Sequence, residues 1–233
     1  MAFRFRQFTI EDAHSTLRIG TDAMLLGSWA DPGKSKKILD IGTGCGVLAL
    51  MMAQKSGAMI KAIDIDQSSI TEASNNFSAS PWAERLQALE DSIQAFVNRE
   101  HQDYDYIITN PPFYANSLKS PSPRINHTRH DDSLTLGELA ANVIRLLAAD
   151  GRLAIILPPV SSGQFQLISA HNGLYPLRRL VVYPRAEMPA KRVLTEFSRI
   201  RNMPLEISEL TILDAPGKFT AEYLALTMSY HNF

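Results

Sequence analysis

Residues 36–54 read "KKILDIGTGCGVLALMMAQ": an apolar run ending near Asp40, glycines at 42, 44 and 46, then an apolar stretch of helical length. A strand that passes through a glycine turn straight into a helix cannot form a hairpin with its successor. It must cross over and return parallel, with the helix lying on the sheet. The pattern recurs in "MIKAIDID" with "QSSITEASNNFSAS", in "LQALEDSIQAFV", in "YDYIITNPPF" with "LTLGELAANVIRLLAADG", and in "GRLAIILPP". Strand and helix alternate from about residue 37 to 159, which predicts an α/β fold: a doubly wound, mostly parallel, Rossmann-like sheet. Asp66 is placed to start the second helix near Gln67 or Ser68, and Gly151 to end the helix before the fifth strand.

The flanks add to this core. "FRFRQF" alternates like a half-buried strand, and "HSTLRIGTDAMLLGSWA" takes helical spacing around Leu17, Met24, Leu25 and Trp29, so residues 1–30 are expected to form a short N-terminal cap. Phe3, Phe5 and Phe8 are expected to pack rather than stack on a ligand. After Pro159 come a helix around Phe165 to Ala170, strands in "LRRLVVYP" and "RVLTEFSRI", and a closing pair, "ISELTILD" and "TAEYLALTMSYHNF". No repeat or long linker divides the 233 residues. One domain is expected, with residues 37–159 as its ligand-binding core and 160–233 completing the sheet.

Bulk properties narrow the function. With 23 basic and 24 acidic residues, a polyanionic partner must be held by a local patch. Cys45 is the one cysteine, which excludes a disulfide framework and a multi-cysteine zinc site and suits a small filler inside the turn. His127 and His130 lack companion ligands, so no metal is expected. No signal segment or long apolar span appears, and a cytoplasmic protein without a membrane partner is expected, monomeric by default.

The glycine turn indicates a ligand class. A dinucleotide fingerprint would place its third glycine at position 47, which is Val47, and no Gly-Lys-Ser/Thr follows. An acidic residue just ahead of the glycines, Asp40, would repel a pyrophosphate but suits a ligand bearing a cationic amino group. S-adenosylmethionine is such a ligand. Asp64 lies at the end of the next strand, where the acid that bonds ribose hydroxyls belongs, and Asp91 follows the third strand and could accept from an adenine amine.

At the fourth strand's end, "TNPPFYA" sets an amide, two prolines and two aromatics in a row. An adenine exocyclic amine is a poor nucleophile because its lone pair is delocalised into the ring. Asn110's side-chain oxygen and Pro111's carbonyl can accept its two hydrogens, held still by Pro111 and Pro112, while Phe113 offers a face to a flipped base. Tyr114 is a weaker candidate for a base or ribose contact.

Together these stretches resemble the class I S-adenosylmethionine-dependent methyltransferases. "GTDAMLLGSWA", "LDIGTGCGVLALMMAQ", "SPWAERL", "IITNPPFY", "ILP" and "KRVL" are more closely similar to the bacterial tRNA(Val) adenine-37 N6-methyltransferase family, from about Phe5 to Tyr230. The resemblance implies methylation of the adenine beside a tRNA anticodon. It implies that Asp40, Gly42, Gly44 and Gly46 hold the methionine part of the cofactor, Asp64 the ribose, Asp91 the adenine, and Asn110 to Phe113 the target base, with Asn110 also bordering the cofactor. Gly20 and Thr21, in "RIGTDAMLL", would close over the cofactor. Asp64 stands where the family usually has glutamate. "NPPF" alone also serves guanine and protein-glutamine amines, and a non-catalytic RNA-binding module on the same fold is the alternative of another class.

For RNA, Lys119, Arg124 and Arg129 in the loop after the clamp are candidates, together with Lys191 and Arg192. The latter belong to a run from Pro176 to Met203 that holds seven arginines and lysines against Glu187 and Glu196.

Overall fold

The computed structural model describes residues 2–13, 19–100, 103–112 and 134–230. In chain order the elements are β1 (Ala2–Arg4), β2 (Thr9–Glu11), α1 (Thr21–Trp29), β3 (Lys37–Ile41), α2 (Val47–Lys55), β4 (Met59–Asp64) and α3 (Gln67–Ser78). There follow β5 (Leu86–Glu90), α4 (Ile93–Arg99), β6 (Tyr104–Thr109), α5 (Leu136–Leu146), β7 (Leu147–Leu157) and α6 (Pro159–His171). The chain closes with β8 (Tyr175–Arg185), β9 (Arg192–Ser198), β10 (Glu206–Leu213) and α7 (Ala221–Thr227).

Eight strands form one sheet in the order β10-β8-β9-β7-β6-β3-β4-β5. β9 runs antiparallel to both its neighbours and the remaining pairings are parallel. The order reverses between β3, which leads outward to β4 and β5, and β6, which leads the other way. That switch point opens a crevice at the strands' carboxyl ends, where ligands bind in open α/β sheets.

Alternation along the strands divides the core. Ile38, Tyr106, Ile108, Ala154 and Ile156 face α1, α2, α3 and α7, whereas Leu39, Ile41, Ile107, Leu153 and Ile155 face α4, α5 and α6. Because both faces are covered, the strands read as continuous apolar runs. Helix starts are written locally: Asp66 accepts from Ser69 N, Ser92 from Ala95 N, and Thr135 with Glu138 forms a capping box.

Two expectations are corrected. The fourth large helix ends at Leu146, and Leu147–Asp150 already belong to β7, with a register shift against β6 between Tyr104 and Tyr106. Gly151 therefore does not end a helix. A Cβ there would lie 2.8 Å from the Tyr104 carbonyl oxygen, so the glycine permits the close approach of two strands. At the N-terminus the alternating strand is shorter than "FRFRQF": β1 stops at Arg4 and pairs with β2, while Phe5 and Phe8 are buried and stack with centroids 4.4 Å apart. Of the closing pair of segments, the first is β10 and the second is helix α7.

Candidate active site

The strand ends at the switch point are laced together. Gly42 N and Thr43 N both donate to Ile63 O, at 2.9 and 3.0 Å, and Asp91 N donates to Asp64 O at 2.9 Å, so the ends of β3, β4 and β5 form a continuous rim. Thr109 Oγ1 donates to Ile41 O at 2.9 Å, fixing the end of β6 beside the start of the glycine turn. Asn110 is the next residue.

The turn itself requires glycine. Gly42, Gly44 and Gly46 have φ of 71°, 55° and 89°, the left-handed region, and a Cβ on Gly46 would sit 2.5 Å from Phe77 Cε1. Asp40 lies beneath this turn with no exposed surface. Its Oδ2 accepts from Thr43 Oγ1 at 2.6 Å and Ala49 N at 3.1 Å, while Oδ1 has no hydrogen-bond partner in the protein. Burial raises its pKa to about 7, against the lowering effect of those two hydrogen bonds. Asp64 accepts from Gly44 N at 2.9 Å and Asp66 N at 3.0 Å; its partial burial also raises its pKa. Asp91 is ion-paired with Arg99 of α4. Burial pushes the Cys45 thiol up to about 12, which leaves it inert as a nucleophile at neutral pH.

Beside the rim a cleft of about 610 Å³ gathers residues far apart in the chain. Gly20 and Thr21, at the start of α1, line it with Asn110, Pro111 and Pro112, and Lys191 and Arg192 line it from the start of β9. The sequence reading missed Asp22, Phe219 and Tyr223, which also line it. Tyr223 belongs to the closing segment and Phe219 to the connection just before it, and nothing local shows that they share a cleft with Asn110 and Pro111.

Arg192 is not a free phosphate ligand: its Nε pairs with Asp22 Oδ2 at 2.8 Å, tying β9 to the first turn of α1. Other members of the basic run also have internal roles. Arg178 pairs with buried Glu196 and lies 4.0 Å from the Trp29 ring, Arg179 donates to Gln166, and Arg199 donates to Ile144 O. Arg185, Lys191 and Arg201 are exposed. Phe113, Tyr114, Lys119, Arg124, Arg129, His127 and His130 lie outside the described residues. Among the described residues no cluster of three or more His, Cys, Asp or Glu side chains could hold a metal, and no helix is long and apolar enough to cross a membrane.

Residues 12–158 match the family model described as methyltransferase small domain. A Bacteroides fragilis (strain YCH46) protein named tRNA1(Val) (adenine(37)-N6)-methyltransferase is 36% identical over 230 residues, covering 98% of this chain and 97% of its own length. The chain belongs to this methyltransferase family. A relative of the same name from Trichodesmium erythraeum is 37% identical over 232 residues, with 98% of this chain and 97% of that one covered. Among solved structures, a predicted O-methyltransferase from Agrobacterium tumefaciens superposes with a TM-score of 0.66 at 20% identity, covering 90% of this chain and 96% of that one. A Thermus thermophilus 16S rRNA N2 G1207 methyltransferase in complex with AdoMet and guanosine gives 0.60 at 16% identity, covering 85% of this methyltransferase and 49% of its own chain. At those identities the structural likeness establishes the fold, and the sequence relatives establish the family.

Proposed function

We propose that this methyltransferase methylates N6 of adenine 37 in the anticodon loop of tRNA1(Val), with S-adenosylmethionine as donor. The observation that carries the reading is the position of Asn110, Pro111 and Pro112. They leave β6 beside the glycine turn and line the cleft, in a chain 36% identical over nearly its full length to a protein named for that reaction.

The residues present fit the cofactor. A Cβ on Gly42 would meet nothing within 4 Å, so the turn has open space on its outer side, and Asp40 Oδ1 is a buried acceptor without a protein partner. Gly42, Gly44 and Gly46 would cradle the methionine part, with Asp40 providing the negative field for its ammonium group. Asp64 would take the ribose hydroxyls, and Asp91 would take the adenine amine through the oxygen not used by Arg99. The bound cofactor supplies a methyl group activated by a positively charged sulfur.

The chain's own contribution is to prepare the amine. Asn110 Oδ1 and Pro111 O would each accept one N6 hydrogen, which weakens delocalisation of the lone pair into the ring and turns it toward the methyl group. Pro112 restricts the backbone so that the two acceptors keep their spacing, and Phe113 would stack on the flipped base. No side chain of shifted pKa is required as base: the nitrogen gains the methyl group as the sulfonium C–S bond breaks, and the resulting cationic amine is acidic enough to lose its proton to water during or after the transfer.

The test is incubation with tritiated S-adenosylmethionine and RNA from bacterial cells lacking this protein, followed by nucleoside mass analysis of the labelled fraction. N6-methyladenosine in a small tRNA subset supports the reading. Label in N2-methylguanosine or in protein would replace the substrate, and failure to bind the cofactor would favour a non-catalytic RNA-binding module.

A further inference from the structure

The cleft contains an aromatic surface to which the reaction above gives no role. Phe219 is 46% exposed, although Tyr223 beneath it is only 4% exposed; their rings stack with centroids 4.7 Å apart and an interplanar angle of 22°. A phenylalanine left half open beside a site forgoes the stabilisation its burial would give, which suggests a flat ligand on the free surface.

The backbone around Phe219 is fixed by hydrogen bonds on both sides. Phe219 bridges to Leu213 across a tight turn in which Asp214 N donates to Lys218 O at 2.8 Å and Gly217 N to Asp214 O at 2.9 Å. Thr220 N donates to Ile212 O at 3.0 Å, and its hydroxyl donates to Thr211 O at 2.6 Å while capping α7 at Tyr223 N. A ring held this way loses little freedom when a partner stacks on it. The same cleft is lined by Asn110, Pro111 and Pro112, and the exposed Lys191 lines it too. An aromatic face with a cation in one groove is the arrangement that binds unpaired nucleotides, by stacking on the base and by attraction to the phosphate.

We propose that Phe219, backed by Tyr223, is a stacking platform for a base of the RNA substrate that flanks the target adenine, with Lys191 placed for its phosphate. The inference rests on the tRNA-methylating reading and extends it: the cleft receives a splayed segment of the loop rather than the target base alone. Stacking tolerates any base, so the platform supplies affinity and position while Asn110 and Pro111 read the target.

The experiment compares wild type with Phe219→Ala, Phe219→Leu and Phe219→Trp. For each, kcat and KM are measured for an anticodon stem-loop RNA at saturating S-adenosylmethionine, and Kd for the same RNA by fluorescence anisotropy. The alanine and leucine variants are expected to raise KM and Kd about tenfold with kcat little changed, and tryptophan to restore wild-type values. Leucine keeps the apolar bulk without the flat face, so a leucine variant equal to wild type would overturn the platform. If the alanine variant fails to fold, the leucine and tryptophan pair still decides. Active wild type with every variant unchanged removes the platform alone, whereas wild type that neither binds nor methylates RNA removes the tRNA reading with it.

Discussion

Asn110 stands one residue beyond Thr109, whose side chain is anchored to β3, so its amide is presented from a fixed strand edge. Asn110→Ala removes one of two proposed acceptors for the target amine. Turnover is expected to fall about a hundredfold or more while cofactor affinity, read by calorimetry, stays unchanged; wild-type turnover would remove the clamp. Asp40 allows a pH test. Its folded pKa of about 7 lies above the ordinary carboxylate value of 3.8, so between these values the folded chain holds a proton that the unfolded chain has lost. This contribution to stability is fully present below about pH 4 and is lost as pH rises toward 7. Asp40→Asn carries no such titration. Its melting temperature relative to wild type should therefore rise across that window, and parallel curves would refute the assignment. A cationic ligand on Oδ1 would draw the proton off. Residue identity made Asp40 legible as a charge beside the glycines, but that it lies wholly beneath the turn depends on how Thr43 and Ala49 close over it.

Among the elements, the join between the parallel strands and the C-terminal hairpin depends on Glu196. The side chain has no exposed surface and accepts from Tyr106 Oη at 2.7 Å, Arg178 Nε at 2.9 Å and Arg152 Nη1 at 3.2 Å, linking β6, β7 and β8 to β9. Glu196→Ala would leave a buried phenol without its acceptor and two guanidinium groups with only the backbone carbonyls of Asp31 and Trp29. A loss of about 3 kcal/mol is expected from urea denaturation, at the low end of the cost of breaking a buried ion pair because both arginines reach solvent, and a loss below about 1 kcal/mol would contradict the network. In the sequence Glu196 counts merely as one negative charge against a basic run. Its burial follows from its facing Ala154 and Arg178 across the sheet, a pairing between distant segments. The β7 boundary was obscured for a similar reason: the pairing of Leu147 with Tyr104 overrides a local pattern that reads as helix up to Gly151.

For the whole molecule, 23 basic residues against 24 acidic ones leave no overall attraction to RNA. Several cations of the basic run are engaged internally, so tRNA binding should rest on few phosphate contacts. The slope of log K against log salt is expected to be shallower than about −5, measured by anisotropy from low to physiological salt; a much steeper slope would reveal an extended electrostatic surface. The alternation of strand and helix, the glycine turn and the Asn-Pro-Pro segment that ends β6 were determined by the sequence alone, because periodicity, left-handed turns and proline geometry are local properties. The tertiary structure decided the rest. Bringing Phe219, Tyr223 and Lys191 to the cleft, and withdrawing Arg178 and Arg192 into ion pairs, requires β8, β9 and β10 to join the same sheet as β6, and those contacts arise between segments that only folding brings together.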